Sequence, residues 1–249
     1  MTRLAIFAAT TAVSIALLWV APAIGLIAIA VTLIIVPPWG RTYAERSVIS
    51  GIVTLGAAAI IFPRAGSTPV DAFTARAFLS AVAIIAVLLY LVPRLKNTPL
   101  PRPRITDAAL LVLVAGLTYW LMSAYLGATS EQLVSGLFFS GWDNQGHFTT
   151  FANTYTAHST TWPTTDGSIA WNQWYPSLHT TIWALLEYAG GATGLARTEL
   201  LFPYIQWNAI TFALSVAALA WVASDLAGRI THNNASRRAT QSAGFLAAA

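Results

Sequence analysis

The stretch LAIFAATTAVSIALLWVAPAIGLIAIAVTLIIV, from Leu4 to Val36, contains no charged residue. Such a run is typical of membrane-spanning helices, because about 20 residues at 1.5 Å each cross a hydrocarbon core about 30 Å thick. The run is too long for one comfortable span, and Pro22 stands near its middle, where a proline starts a helix more readily than it continues one. The sequence therefore predicts a tight hairpin of two short helices that turns at Ala21-Pro22-Ala23.

Four further segments are apolar enough to cross a membrane: Val48–Phe62, Ala77–Val92, Ile105–Tyr125 and Tyr204–Ala227. Of the 249 residues, 56% are hydrophobic and 9% are charged, whereas soluble domains carry about 25% charged residues. We therefore predict an all-α fold, a polytopic transmembrane helical bundle that contacts membrane lipids. Another apolar run begins near Ala243, so we expect the sequence to be the N-terminal portion of a longer protein.

The spans divide the chain into three parts. Residues 1–126 hold about five predicted spans, residues 127–202 form a large loop that carries juxtamembrane helices, and residues 203–249 hold further spans.

The Lys and Arg residues fall into two sets of loops, ten in one set and three in the other. The larger set comprises Arg3, Arg41, Arg46, Arg94, Lys96, Arg102, Arg104, Arg229, Arg237 and Arg238, and the smaller set comprises Arg64, Arg76 and Arg197. Since basic residues concentrate in cytoplasmic loops, we predict a plasma-membrane protein with a cytoplasmic N-terminus and an extracytoplasmic loop after Tyr125.

This orientation depends on Leu178–Gly190 not crossing the membrane. Thirteen helical residues reach about 20 Å, which is short of the hydrocarbon core. The segment also carries His179 and Glu187, and a charged carboxylate at the bilayer centre costs a few kcal/mol. We therefore expect a juxtamembrane or re-entrant helix on the outer face.

The composition excludes several classes of function. The chain has no cysteine, which excludes disulfides, zinc–thiolate sites and thiol nucleophiles. Its net charge of +4 is not gathered into a basic stripe with aromatic residues, so we expect no nucleic-acid partner. The N-terminal run lacks a polar cleavage region, so we expect a retained anchor and not a signal peptide.

Aromatic and titratable residues concentrate in the predicted outer loop. Trp142, Trp162, Trp171 and Trp174 lie there, together with His147, His158 and His179. Asp143 and His147 are four residues apart, so they share one face if a helix begins near Asp143. One interpretation is an N-cap, an interfacial histidine and an ordinary aromatic belt. The other makes Asp143 a general base at the membrane surface, with His147 orienting a substrate or binding a metal.

Three further features of the loop each allow two interpretations. Asp166 could pair with Asp143 as acid and base, although Asp166-Gly167 favours a turn. Pro176 can start a helix that presents Tyr175 and His179 toward one cavity, or these aromatic residues only anchor the interface. Arg197 could form a surface pair with Glu199 or hold a lipid phosphate in a bidentate contact.

At these residues the sequence resembles the GT-C superfamily of polytopic membrane glycosyltransferases, and in particular its actinobacterial members. The resemblance covers about Gly136 to Ala227. It rests on Asp143 in Gly-Trp-Asp-Asn-Gln-Gly-His-Phe, on Tyr175-Pro176-Ser177-Leu178-His179, and on Arg197 before the next span. Asn144 stands where the family usually has a second acidic residue.

The resemblance implies sugar transfer from a polyprenyl-phosphate donor to a cell-envelope glycan or lipid acceptor. Asp143 would be the catalytic base and Arg197 would hold the donor phosphate. We assign substrate binding to Trp142, Asn144, His147, Trp174, Tyr175, His179 and Arg197. The sequence specifies no cofactor with certainty; a divalent cation is the one candidate, and Asp143 and His147 are its candidate ligands. Two alternatives stay open: a transporter or flippase of lipid-linked saccharides, and a non-catalytic membrane subunit.

Overall fold

The structure is a computed structural model, and it describes residues 2–64, 68–92, 95, 98–138, 142–160 and 178–230. In these ranges all named elements are helices. They are α1 (Thr2–Val20), α2 (Pro22–Ile35), α3 (Tyr43–Arg64), α4 (Ala72–Leu88) with a 3-10 turn at Leu89–Leu91, α5 (Ile105–Ser123), α6 (Ser130–Phe138), α7 (Trp142–Ala157), α8 (Leu178–Gly190) and α9 (Leu201–Ile230).

Among the described residues, five helices are long and apolar enough to cross a membrane. Their apolar segments are Arg3–Val20, Tyr43–Phe62, Ala72–Leu91, Ile105–Ser123 and Leu201–Ala227. For the described residues, the prediction of an all-helical fold with apolar helices long enough to span a membrane is therefore confirmed. The span expected near Ala243 lies outside the described residues.

The N-terminal hairpin forms as predicted, with α2 starting at Pro22. Gly25 lets α1 and α2 approach closely, because a Cβ atom at this position would lie 2.1 Å from the Leu18 backbone. Deeper in the hairpin, the hydroxyls of Ser14 and Thr32 share a hydrogen bond of 2.9 Å. Helix α2 has only 14 residues, about 21 Å of helix, so it is shorter than a full span.

A buried arginine joins three segments at the other end of this hairpin. Arg46 is completely buried and its guanidinium donates to three backbone carbonyls: Ile35 at 2.6 Å, Pro99 at 2.8 Å and Gly40 at 3.3 Å. Ile35 is the last residue of α2, where carbonyls have no helical partner. Arg46 therefore connects the end of α2, the start of α3 and the segment that precedes α5.

Helix α8 has the predicted bounds and lies inside the bundle. It packs against α2, α4 and α7, and Trp183, Ala184, Leu185 and Tyr188 are buried. Its contacts with α9 pair Glu187 with Trp207 and Trp183 with Thr211, so the two helices are antiparallel. Helix α8 therefore lies beside the first half of α9.

Candidate functional site

The candidate site begins at the first turn of α7. This helix starts at Trp142 and includes Asp143 as its second residue, so the expectation that a helix opens here is confirmed. Asp143 and His147 are one turn apart and therefore lie on the same face of α7. The side chains of Trp142 and Asp143, and the whole of Trp162, Asp166, Trp171, Trp174 and Tyr175, lie outside the described residues.

Helices α7 and α8 run parallel and pair their rings at every fourth or fifth residue. His147 contacts His179, with ring centroids 4.9 Å apart and ring planes at 66°. Farther along, Phe151 meets Trp183 at 6.4 Å. The pairing ends with Tyr155 stacked on Tyr188 at 4.4 Å. The structure thus brings the predicted site residues His147 and His179 together.

Tyr204 of α9 packs against this row of rings and contacts both α7 and α8. Its ring lies 5.5 Å from that of Phe148 and 5.7 Å from that of Trp183. Its hydroxyl donates to the backbone carbonyl of Asn144 at 3.3 Å. Tyr204 is almost completely buried, so it fixes the first turns of α7 against the start of α9.

A tyrosine–histidine cluster holds the C-terminal end of α7. The Tyr188 hydroxyl donates to the carbonyl of Tyr155 at 2.7 Å and also contacts Nδ1 of His158 at 2.9 Å. Since a hydroxyl has a single proton, His158 donates from Nδ1 in this pair. Burial raises the pKa of Tyr188 and that of Tyr155, so both stay neutral phenols. His158 is therefore part of the packing between α7 and α8, and it adopts a positive φ of 53° where it leaves the helix.

Arg197 is held by neutral partners on α7. Its Nη1 donates to Oδ1 of Asn153 at 2.8 Å, and its Nη2 donates to Oγ1 of Thr149 at 3.3 Å. Its Cζ lies 5.7 Å from the centre of the Phe148 ring. The carboxylate of Glu199 accepts from the backbone of Ala196 instead. The alternative of an Arg197–Glu199 surface pair is therefore wrong, because each side chain has a different partner.

Several residues of this site were missed from the sequence alone. Tyr155, Tyr188 and Tyr204 carry most of the ring contacts, and Thr149 and Asn153 orient Arg197. The available signal was the four-residue spacing of His147, Phe151 and Tyr155, which places three rings on one face of α7. Among the described side chains, no three His, Cys, Asp or Glu residues come together as metal ligands.

The packing of α8 shields the carboxyl of Glu187 partly from water. Its carboxyl accepts a hydrogen bond of 2.5 Å from Nε1 of Trp207. Burial raises the pKa of Glu187 above its ordinary value of 4.5, and the bond from Trp207 opposes this shift only in part. The folded protein therefore binds a proton here more tightly than the unfolded chain does.

We expect Glu187→Gln to raise the stability of the protein at neutral pH and to flatten its pH dependence. A raised folded-state pKa contributes stability that is complete below pH 4.5 and is lost as the pH rises through the folded value. The glutamine carbonyl can still accept from Trp207 and carries no charge to desolvate. The measurement is the free energy of unfolding in detergent from pH 4 to pH 8, and the control is Glu131→Gln, which removes an exposed carboxylate on α6. An unchanged pH slope in Glu187→Gln would contradict this assignment.

A shallow groove runs between α5 and the N-terminal turns of α9. Its volume is about 400 Å³, and its lining comprises Ala115, Thr118, Tyr119, Met122, Leu126, Phe202 and Gln206. The lining is mainly apolar, with the polar groups of Thr118 and Gln206 set among it. Such a lining is also what a lipid-facing surface between two candidate spans presents.

Comparisons with known protein families, with characterised proteins and with solved structures find no match to this chain.

Proposed function

We propose that this protein is a membrane glycosyltransferase of the GT-C type, which transfers a sugar from a polyprenyl-phosphate donor to a cell-envelope glycan or lipid acceptor. We place the reaction at the extracytoplasmic face of the plasma membrane. The observation that carries the proposal is Arg197, an exposed guanidinium that neutral side chains of α7 orient while no carboxylate neutralises it in the described contacts. A guanidinium held in this way is suited to a phosphate.

The spacing along α7 fits the size of the reacting groups. Thr149 and Asn153, which hold Arg197, follow Asp143 by six and ten residues, or about 9 and 15 Å along the helix axis. A base, an acceptor hydroxyl, the anomeric carbon and the donor phosphate in a row need roughly 10 Å, given reacting atoms about 3 Å apart. Along the axis this spacing matches the length of one donor–acceptor pair, and because Thr149 and Asn153 lie about 120° and 80° around α7 from Asp143, we infer that the pair would run obliquely across the helix.

The proposed step is an inverting displacement. The Asp143 carboxylate takes the proton of the acceptor hydroxyl, and the acceptor oxygen forms a bond to the anomeric carbon. The bond from that carbon to the phosphate oxygen breaks, and polyprenyl phosphate leaves with the electron pair. Arg197 stabilises the charge that develops on the leaving phosphate. The apolar groove between α5 and α9 supports the proposal because it offers a place for the lipid chain.

A transfer assay tests the proposal. The protein in membranes receives polyprenyl-phosphate sugars labelled in the sugar, together with a cell-envelope glycan acceptor. We expect labelled acceptor and free polyprenyl phosphate to form in equal amounts. The absence of transfer with every sugar tested would overturn the enzyme assignment and favour a non-catalytic subunit.

A transporter of lipid-linked saccharides is the second candidate, and Glu187 favours it. Transporters place protonatable groups on helices inside the bundle, and Glu187 is a half-buried carboxyl on the short helix α8. Reorientation of intact labelled lipid-linked sugar across vesicle membranes, without release of polyprenyl phosphate, would support this second function against the first.

We expect Arg197→Gln to weaken use of the donor. Removing a charge-assisted contact of about 1.5–3 kcal/mol lowers kcat/KM for the polyprenyl-phosphate sugar about 10- to 100-fold, through both a higher KM for the donor and a lower kcat, because Arg197 binds the phosphate and stabilises it as it leaves. The glutamine keeps a polar side chain that can still contact Asn153. Steady-state kinetics at varied donor concentration measure the effect.

The matched control is Glu199→Gln, which removes a neighbouring exposed charge that does not contact Arg197. This variant should retain the wild-type KM for the donor, because exposed charges contribute little. An equal loss in both variants would show a general electrostatic effect and not a phosphate contact at Arg197.

A further inference from the structure

A cluster of hydrogen-bond donors lies where the start of α1 meets the end of α4. The Cζ atom of Arg3 lies 5.4 Å from the centre of the Phe7 ring and 5.9 Å from that of the Tyr90 ring. The two rings contact each other at 5.2 Å, and both residues are buried. Since a guanidinium is attracted to aromatic rings, this pair positions Arg3, which is half-buried at the edge of the bundle.

The donors of this cluster have no acceptor among the described contacts. Nε and Nη2 of Arg3 are shielded from water and have no partner, and the proton of the buried Tyr90 hydroxyl has none either. Arg46 lies close to both residues, but a guanidinium offers no acceptor. Because buried polar groups are normally paired, an acceptor that entered here would complete three unpaired donors.

The cluster also carries positive charge that no described carboxylate neutralises. The guanidinium of Arg46 donates to three backbone carbonyls. The adjacent Glu45 directs its carboxylate to the backbone N–H of Arg41 at 2.6 Å instead. Two guanidiniums and a phenol therefore lie together without a counter-charge in the described contacts. This combination suits the oxygens of a phosphate, which accept charge-assisted hydrogen bonds from arginine.

The apolar surroundings of the cluster favour a lipid as the source of the phosphate. Ile6 on α1, and Leu88 and Leu91 where α4 ends, are exposed large apolar residues. Both helices are candidate membrane spans, so acyl chains can lie along these residues while a headgroup lies at the helix ends. The sequence predicts this end to be cytoplasmic, and anionic lipids concentrate in the cytoplasmic leaflet.

We propose that Arg3 and Tyr90 bind the phosphate headgroup of an anionic phospholipid and that the charge of Arg46 adds to the attraction. The site lies at the C-terminal end of α4. Helix α7 meets the other end of α4, where the Val70 N–H donates to the His158 carbonyl, and the 17 residues of α4 separate the two ends by about 25 Å. The inference therefore goes beyond the proposed function and does not require sugar transfer.

Lipid binding to the purified full chain in a neutral detergent tests the site. Native mass spectrometry should show that the wild type retains phosphatidic acid in preference to phosphatidylcholine. Arg3→Gln should raise the dissociation constant for phosphatidic acid about 10- to 100-fold, because it removes a charge-assisted contact. Tyr90→Phe, which keeps the ring, should raise it about 2- to 10-fold. The control is Arg41→Gln, which removes an exposed charge close to Arg46 in the chain and should bind as the wild type does.

A second measurement does not depend on the folding of the variants. Phosphatidic acid should raise the unfolding temperature of the wild type more than phosphatidylcholine does, because a ligand that binds only the folded state stabilises it. Equal binding of phosphatidic acid by the wild type and Arg3→Gln, or no preference over phosphatidylcholine, would overturn the proposal. If glycerol 3-phosphate bound as tightly as phosphatidic acid, the site would take a free phosphate ester and the lipid assignment would be wrong.

Discussion

We expect Asp143→Asn to abolish sugar transfer while the protein stays folded. Asparagine has the size of aspartate but cannot take the proton of the acceptor hydroxyl, and a positioned general base contributes about 10²–10⁴ to the rate. The loss should appear in kcat, because donor binding depends on Arg197 and not on the base. The transfer assay measures it in membranes that contain equal amounts of the two proteins.

The change should have only a small effect on stability. Asp143 lies in the first turn of α7, where a negative charge gains about 0.3–1 kcal/mol from the helix dipole. Glu131→Gln is the matched control, because Glu131 is an exposed acidic residue in the first turn of α6. This control should keep full transfer with a similar small loss of stability. Transfer by Asp143→Asn at the wild-type rate would exclude Asp143 from the mechanism. It would favour the alternative interpretation of Asp143 as a helix-capping residue.

Local signals in the sequence predicted the helices well but missed several starts. The bounds of α8 were predicted to the residue, and α2 begins at the proline that was expected to begin it. Helix α3, however, starts at Tyr43, five residues before the predicted Val48. Hydropathy detects only the apolar part of a helix, and this first turn contains Glu45 and Arg46. Helix α4 likewise starts before the predicted Ala77, at Ala72, after its cap at Asp71.

The site was predictable in composition but not in its contacts. The loop that holds Asp143, His147 and Arg197 stood out because titratable groups are rare in this chain. No local pattern could show that His147 meets His179, because that contact depends on the parallel packing of α7 and α8. The same limit applies to Arg197, whose partners Thr149 and Asn153 lie more than 40 residues away in the chain.

The largest effect on stability is expected from Arg46→Ala. The substitution leaves the carbonyls of Ile35, Gly40 and Pro99 without their common donor. Each buried polar group that loses its partner costs about 1–3 kcal/mol, so the total loss should reach at least about 3 kcal/mol. The cavity left by a fully buried side chain adds to this cost. The measurement is the free energy of unfolding in detergent, and Arg41→Ala, an exposed arginine five residues earlier, is the control.

The variant Arg46→Lys distinguishes the contribution of the positive charge from that of the guanidinium group. The three carbonyls surround Nε, Nη1 and Nη2 of Arg46, and a single ammonium nitrogen cannot occupy all three places. We therefore expect Arg46→Lys to recover only part of the stability that Arg46→Ala loses. Full recovery would show that charge alone suffices. If Arg46→Ala were no less stable than Arg41→Ala, the carbonyl contacts would not join α2, α3 and the segment before α5.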